Sequence, residues 1–101
     1  MILRLYGTAN AVHQGDSQWD TLYKHFSPLP GARQIFQMQI DLVQTSCGMA
    51  VPFFDYKADR KQLQDWALKK GEAGIAQYWE DKNQLSLDGE PTLIVEKSRK
   101  G

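Results

Sequence analysis

The stretch from Arg33 to Gln44 constrains the fold more than any other part of the chain. Phe36, Met38, Ile40 and Leu42 alternate there with Gln37, Gln39, Asp41 and Val43. A period of two puts successive side chains on opposite sides of a β-strand, whereas a helix would scatter the same apolar residues around its circumference. One face of this strand is expected to be apolar and the other mostly amide. Met1 to Val12 repeats the pattern, with Leu3, Leu5, Gly7, Ala9 and Ala11 on one face and Arg4, Tyr6, Thr8 and Asn10 on the other. The small residues in the first set predict that another element approaches closely.

Helical spacing fills the remaining segments. After a turn at His13 to Asp16, Ser17 is placed to cap a helix with Asp20 three residues on. Trp19, Leu22, Tyr23 and Phe26 then share one helical face. That face reads as a core-packing stripe, or alternatively as a stacking platform for a ring. Pro28-Leu29-Pro30-Gly31 ends the helix. Further on, Asp59 is expected to cap a helix with Gln62 at its third position and Gly71 just past its end. Leu63, Trp66, Ala67 and Lys70 form its stripe, and Ile75, Tyr78 and Trp79 anchor a second helix from Glu72 to Lys82. Asp88-Gly89 is a turn pair, and Thr92 to Val95 is expected to be a short strand or extended arm. The fold class is α+β, a single domain over residues 1–101.

With 101 residues the chain can bury only about 60–65% of its unfolded surface, so a small core and help from a partner subunit are expected. Twelve basic residues balance twelve acidic ones, which gives no pull toward nucleic acid or an anionic membrane. The like-charged run from Lys97 to Lys100 reads as a solvated tail. One cysteine excludes an internal disulfide, and His13 and His25 have no second cysteine with which to form a metal site. No apolar run is long enough to cross a bilayer and no signal peptide is evident, so a cytoplasmic location is expected.

Between the two halves lies a polar run, Gln44-Thr45-Ser46-Cys47-Gly48, closed by Pro52. It stands where a sheet end could meet a ligand. Ser46 and Cys47 have no adjacent base to activate a nucleophile, and no glycine-rich phosphate loop joins a strand to a helix. No catalytic residue is assigned. Cys47-Gly48 is expected to serve tight packing, and Phe53-Phe54-Asp55-Tyr56 to form an exposed aromatic cluster.

Several separate blocks resemble one family in the order in which they occur. The string Ile2-Leu3-Arg4-Leu5-Tyr6-Gly7-Thr8-Ala9 is similar to an Arg-Leu-x-Gly-x-Ala strand in pyridoxamine 5′-phosphate oxidase-like flavin proteins. Pro30-Gly31-Ala32-Arg33 follows, then Gln44-x-Ser46-Cys47-Gly48-x-x-Val51-Pro52, Tyr56 and Arg60. Leu63, Trp66-Ala67, Lys70-Gly71 and Tyr78 continue it, and Lys82-Asn83-x-x-Ser86-x-Asp88-Gly89-x-Pro91 completes it. The resemblance is to the C-terminal half of longer members.

That resemblance implies a partial split β-barrel of antiparallel strands with two or three packed helices, completed by a partner subunit. It implies a homodimer with FMN at the subunit interface and a small-molecule redox substrate. Carried onto this sequence, Gln44 and Ser46 would hydrogen-bond a flavin ring edge and Arg4 would be the cation on the polar strand face. Lys82, Asn83 and Ser86 would meet the cofactor or the partner. The alternative is a non-catalytic dimerisation or binding module that has lost the cofactor site.

Overall fold

A computed structural model describes residues 1–99; of the basic run at the C-terminus, Lys100 lies outside the described residues. Two long strands, β1 (Ile2–His13) and β2 (Gln34–Ser46), pair antiparallel into a two-stranded ribbon. Ile2 stands opposite Ser46 at the tip of the ribbon, and His13 stands opposite Gln34 at its base. The ribbon is not closed into a barrel. Among the described residues, three helices complete an α+β fold: α1 (Trp19–Tyr23), α2 (Gln62–Lys82) and α3 (Ile94–Ser98).

The ladder is not uniform. Tyr6 faces Leu42 but Gly7 faces Ile40, so Asp41 is an extra residue on β2. Such a bulge shifts the alternation by one, and every side chain beyond it changes face. Leu42 therefore shares a face with Tyr6 and the amides, and Val43 joins the apolar face. This corrects the unbroken alternation expected from the sequence. Gly7 sits at the step because nothing larger fits: a Cβ there would lie 1.9 Å from the Gln39 carbonyl oxygen. The close approach foreshadowed by the small residues is thus made within the strand pair itself.

The bulge makes one face of the ribbon continuously apolar, through Leu3, Leu5, Val43, Ile40, Met38 and Phe36. All six are exposed, by 42% to 72%. Among the described residues the core lies only at the ribbon base, where Val12, Trp19, Ala67, Ile75 and Ile94 are buried with His13. Each fully buried aliphatic side chain of this kind contributes about 1.5–3 kcal/mol, so so few make a small core. The Cα radius of gyration is 17.4 Å, against roughly 13 Å for a compact chain of this length. The ribbon and the segment 47–61, which has no regular structure, account for the excess.

The helices depart from the sequence reading at their ends. The first begins at Trp19 after Gln18, with no side-chain cap from Ser17, and Phe26 lies beyond it and is exposed. Asp59 does not cap α2, which starts after Lys61; its carboxylate instead accepts a hydrogen bond from the Tyr56 hydroxyl. Gly71 does break α2, at φ 71° and ψ 171°, a region open essentially to glycine alone. The run Thr92 to Val95, expected as a strand or arm, opens helix α3 instead. Leu93 turns the chain in the left-handed region (φ 57°) and Ile94 is buried in the core. The Gly15 amide then donates to the Lys97 carbonyl (2.8 Å), tying α3 to the turn after β1.

Candidate functional site

Three of the expected site residues come together at the ribbon tip. Arg4 pairs directly with Gln44, and Ile2 with Ser46. Directly paired residues share a face, and so do residues two apart on a strand. A guanidinium, an amide and a hydroxyl therefore line one side of the tip. Arg4 and Gln44 are exposed and Ser46 is half-buried. Among the described residues, no hydrogen bond joins their side chains to other protein groups.

Cys47 and Gly48 follow directly. Gly48 has φ +65°, and a Cβ on it would come 3.3 Å from Ile2 Cγ1, so the backbone does pack closely here. The Cys47 thiol is exposed, so the close packing expected of Cys47-Gly48 is made by the backbone at Gly48 and not by the thiol. Phe53, Phe54 and Tyr56 are exposed as expected, at 103%, 87% and 78%.

The second polar block stands elsewhere. Asn83 Oδ1 accepts from Arg33 Nη1 (3.2 Å), which places the end of α2 beside the start of β2. Arg33 lies eleven positions before Gln44, and at about 3.3 Å per residue the two blocks are roughly 35 Å apart along the ribbon. Within one chain Lys82, Asn83 and Ser86 do not meet Arg4, Gln44 and Ser46. Two of the three also have local work. The Asn83 carbonyl accepts from Thr92 Oγ1, and Ser86 Oγ accepts from the Glu90 amide (3.0 Å) within the turn closed by the Leu85–Pro91 bridge. Lys82 is exposed at the last turn of α2, where a cation complements the helix dipole.

The tip cluster has the chemistry to hold one edge of a flavin. Gln44 can donate and accept, Ser46 can do either, and Arg4 supplies the positive charge that a phosphate or an electron-rich ring requires. It is the only cation on that side of the described ribbon. A dianionic phosphate calls for several donors and opposite charge, and the described part of a single chain brings only this one cation there.

Helices and loops build a separate concavity. A cleft of about 700 Å³ opens between α1, the Leu29–Ala32 turn and α2, within the size range of small-ligand or peptide pockets. Trp19 and Tyr23 stack on one wall, with ring centroids 5.1 Å apart and planes 23° from parallel. Trp79 stands among the lining residues, with Ala67 and Ile75 buried beneath. Gly31 has φ +78°, and a Cβ there would touch Ala67 and Ile75 at 3.6 Å. Glu72 is the one charged lining residue. The aromatic spacing around Trp19 was visible in the sequence; that Trp79 lines the same cleft was not.

The described residues contain no cluster of three or more side chains suited to a metal ion. His13 is the buried titratable group. The Gln34 amide nitrogen lies 3.1 Å from its Nε2, and its Nδ1 is 3.9 Å from an Asp16 oxygen without a hydrogen bond. Burial, helped by Lys97, lowers its pKa below the ordinary histidine value, against a smaller opposing pull from Asp16. No helix among the described residues is long and apolar enough to cross a membrane.

Comparison with known proteins gives the family context. The chain is 28% identical over 109 residues to the pyridoxamine 5′-phosphate oxidase family protein ustO of Aspergillus flavus, covering 91% of this chain and 43% of that protein. The resemblance to the pyridoxamine 5′-phosphate oxidase family is thus borne out. The chain spans less than half the length of that relative. Neither a family model nor a solved structure matches it.

Proposed function

We propose that this chain is an FMN-binding redox protein of the pyridoxamine 5′-phosphate oxidase-like type, working as a homodimer on a small-molecule substrate. The observation that carries this reading is the alignment of Arg4, Gln44 and Ser46 along one side of the ribbon tip, in a chain with a relative in that family. Bound flavin would supply the hydride or electron transfer. Gln44 and Ser46 would orient its ring edge through hydrogen bonds, and Arg4 would hold negative charge beside them. The naked apolar face of the ribbon, opposite the side that carries Arg4, Gln44 and Ser46, is the surface a partner would cover to complete the partial barrel. In a two-fold dimer each contact is made twice, and an antiparallel arrangement of two ribbons would bring the partner's copy of the Lys82, Asn83 and Ser86 block toward the tip.

Retention of flavin absorbance after incubation with FMN and dialysis tests this, with Arg4→Ala and Gln44→Ala as comparisons. The reading expects FMN to be retained by the unaltered protein and bound at least tenfold more weakly by Arg4→Ala, since a charge-assisted hydrogen bond is worth about 1.5–3 kcal/mol. Release of all added FMN by the unaltered protein would sink it. One feature favours the second reading, a dimerisation module without cofactor: Arg4 stands alone as a cation on its side of the ribbon, with the other block roughly 35 Å away.

A further inference from the structure

We infer that residues Val51–Tyr56 form an exchanged arm, which two copies of this chain insert into each other's Trp19–Tyr23–Trp79 cleft. This rests on the two-copy assembly proposed above, and it is independent of flavin. The segment 47–61 leaves the ribbon tip and returns to α2 without regular structure. At its centre Phe53 and Phe54 are 103% and 87% exposed, so neither ring touches its own chain to any extent. Two adjacent bare phenylalanines are a costly surface for a free monomer. Pro52 fixes its own φ and holds Val51 in an extended conformation. The stretch is therefore partly ordered before it docks, which lowers the entropy lost on binding. An extended, proline-containing segment meeting an aromatic-lined groove is an established mode of peptide recognition.

The cleft matches the arm in character. It offers about 700 Å³ bounded by three aromatic rings and floored by Ala67 and Ile75. Val51 to Phe54 carries no charge, and Asp55, which has the same sign as Glu72 at the cleft, would stay at its open mouth. Area favours a second copy as the occupant. An aromatic side chain hides about 150–250 Å², so Phe53, Phe54 and Tyr56 from both arms, with the surfaces they cover, would bury roughly 1,800–3,000 Å². Stable interfaces need about 1,200–2,000 Å²; reciprocal exchange reaches that size throughout, whereas one arm alone, at roughly 900–1,500 Å², falls short or reaches only its lower part.

The test is a photo-crosslinking phenylalanine analogue placed at position 53, in a mixture of isotopically light and heavy protein. Light scattering after gel filtration is run in parallel on the unaltered protein and on Phe53→Ser/Phe54→Ser. The expected result is light–heavy crosslinks to peptides containing Trp19 or Trp79, a dimer for the unaltered protein, and at least a tenfold weaker dimer for the double variant. Crosslinks confined to one chain, or reaching only the ribbon, would overturn the exchange while leaving the dimer standing. So would a double variant that dimerises as before. A monomeric unaltered protein would overturn both the exchange and the assembly. Because the substituted residues are already exposed, circular dichroism is expected to show the double variant folded, and the crosslink map does not depend on it.

Discussion

Gly7→Ala is the substitution the ribbon should tolerate least. An ideal Cβ at Gly7 stands 1.9 Å from the Gln39 carbonyl oxygen and 3.1 Å from Ile40 Cα, where real Cβ contacts essentially never fall below 3.0 Å. The strands would have to part by more than 1 Å at the bulge, against backbone that cannot swing aside as a side chain would. Parting them weakens the flanking ladder bonds, each worth a net 0.5–1.5 kcal/mol or about that. Overpacking of this kind typically costs about 1–3 kcal/mol. A total near 3 kcal/mol is expected, roughly a 150-fold fall in the folding constant, and a drop in Tm of about 12–24 °C for a chain of this size. Urea and thermal unfolding followed by circular dichroism, at one fixed protein concentration because a dimer's stability depends on it, would measure this. The midpoint should fall while the urea slope stays constant. A Tm within about 3 °C of the unaltered protein (well under 1 kcal/mol) would refute the close approach, and with it the bulge at Asp41.

Two further substitutions separate space from backbone conformation and burial from charge. Gly71→Ala meets nothing within 4 Å yet must hold φ 71° and ψ 171°, so a cost of about 1–3 kcal/mol is expected from strain alone; an unchanged urea midpoint would show that the break in α2 does not need glycine. His13 has a folded-state pKa below its unfolded value, so between these values the unfolded chain binds more protons. Its stabilising effect is therefore complete above about pH 6.5 and is lost as the pH falls toward the lowered folded value. Tm should decline from pH 7.5 to 5.5, a window of about one unit on either side of the ordinary histidine pKa, and His13→Gln should flatten that decline; an equal slope in both proteins would assign the acid sensitivity elsewhere.

The strands were legible because alternation over a dozen residues has no competing explanation, and Gly71 was legible because a helix end and a glycine coincide. The face change at Asp41 was hidden. An aspartate falls on the expected polar side whether or not it bulges, and the clue lay across the ladder, in a glycine interrupting β1. The last helix was hidden for another reason: four apolar residues are too few to show a period, and the left-handed turn at Leu93 that starts α3 leaves no mark in composition. For the candidate site, residue types were legible and distances were not. Ser46 and Asn83 belong to separate blocks of the family resemblance, yet they stand at opposite ends of the ribbon, because Ser46 ends β2 at the tip while Asn83 is held beside the start of β2 by Arg33.

That separation bears on how a site could work here at all. An apolar face, an unsheltered pair of phenylalanines and a lone arginine among hydrogen-bonding groups are three incomplete surfaces on one small chain. Each lacks a different complement: cover for the face, a pocket for the rings, further positive charge for the anion. A two-fold axis can satisfy all three with the chain's own parts, since it returns the ribbon, the cleft and the Lys82 block of a second copy. In the proposed two-copy assembly, one partner would supply these complements together. The crosslink map at position 53 and FMN retention by Arg4→Ala therefore probe different halves of one geometry. Arm exchange with no flavin would leave a structural dimer, and flavin retention without arm exchange would require a dimer built on the ribbon face alone.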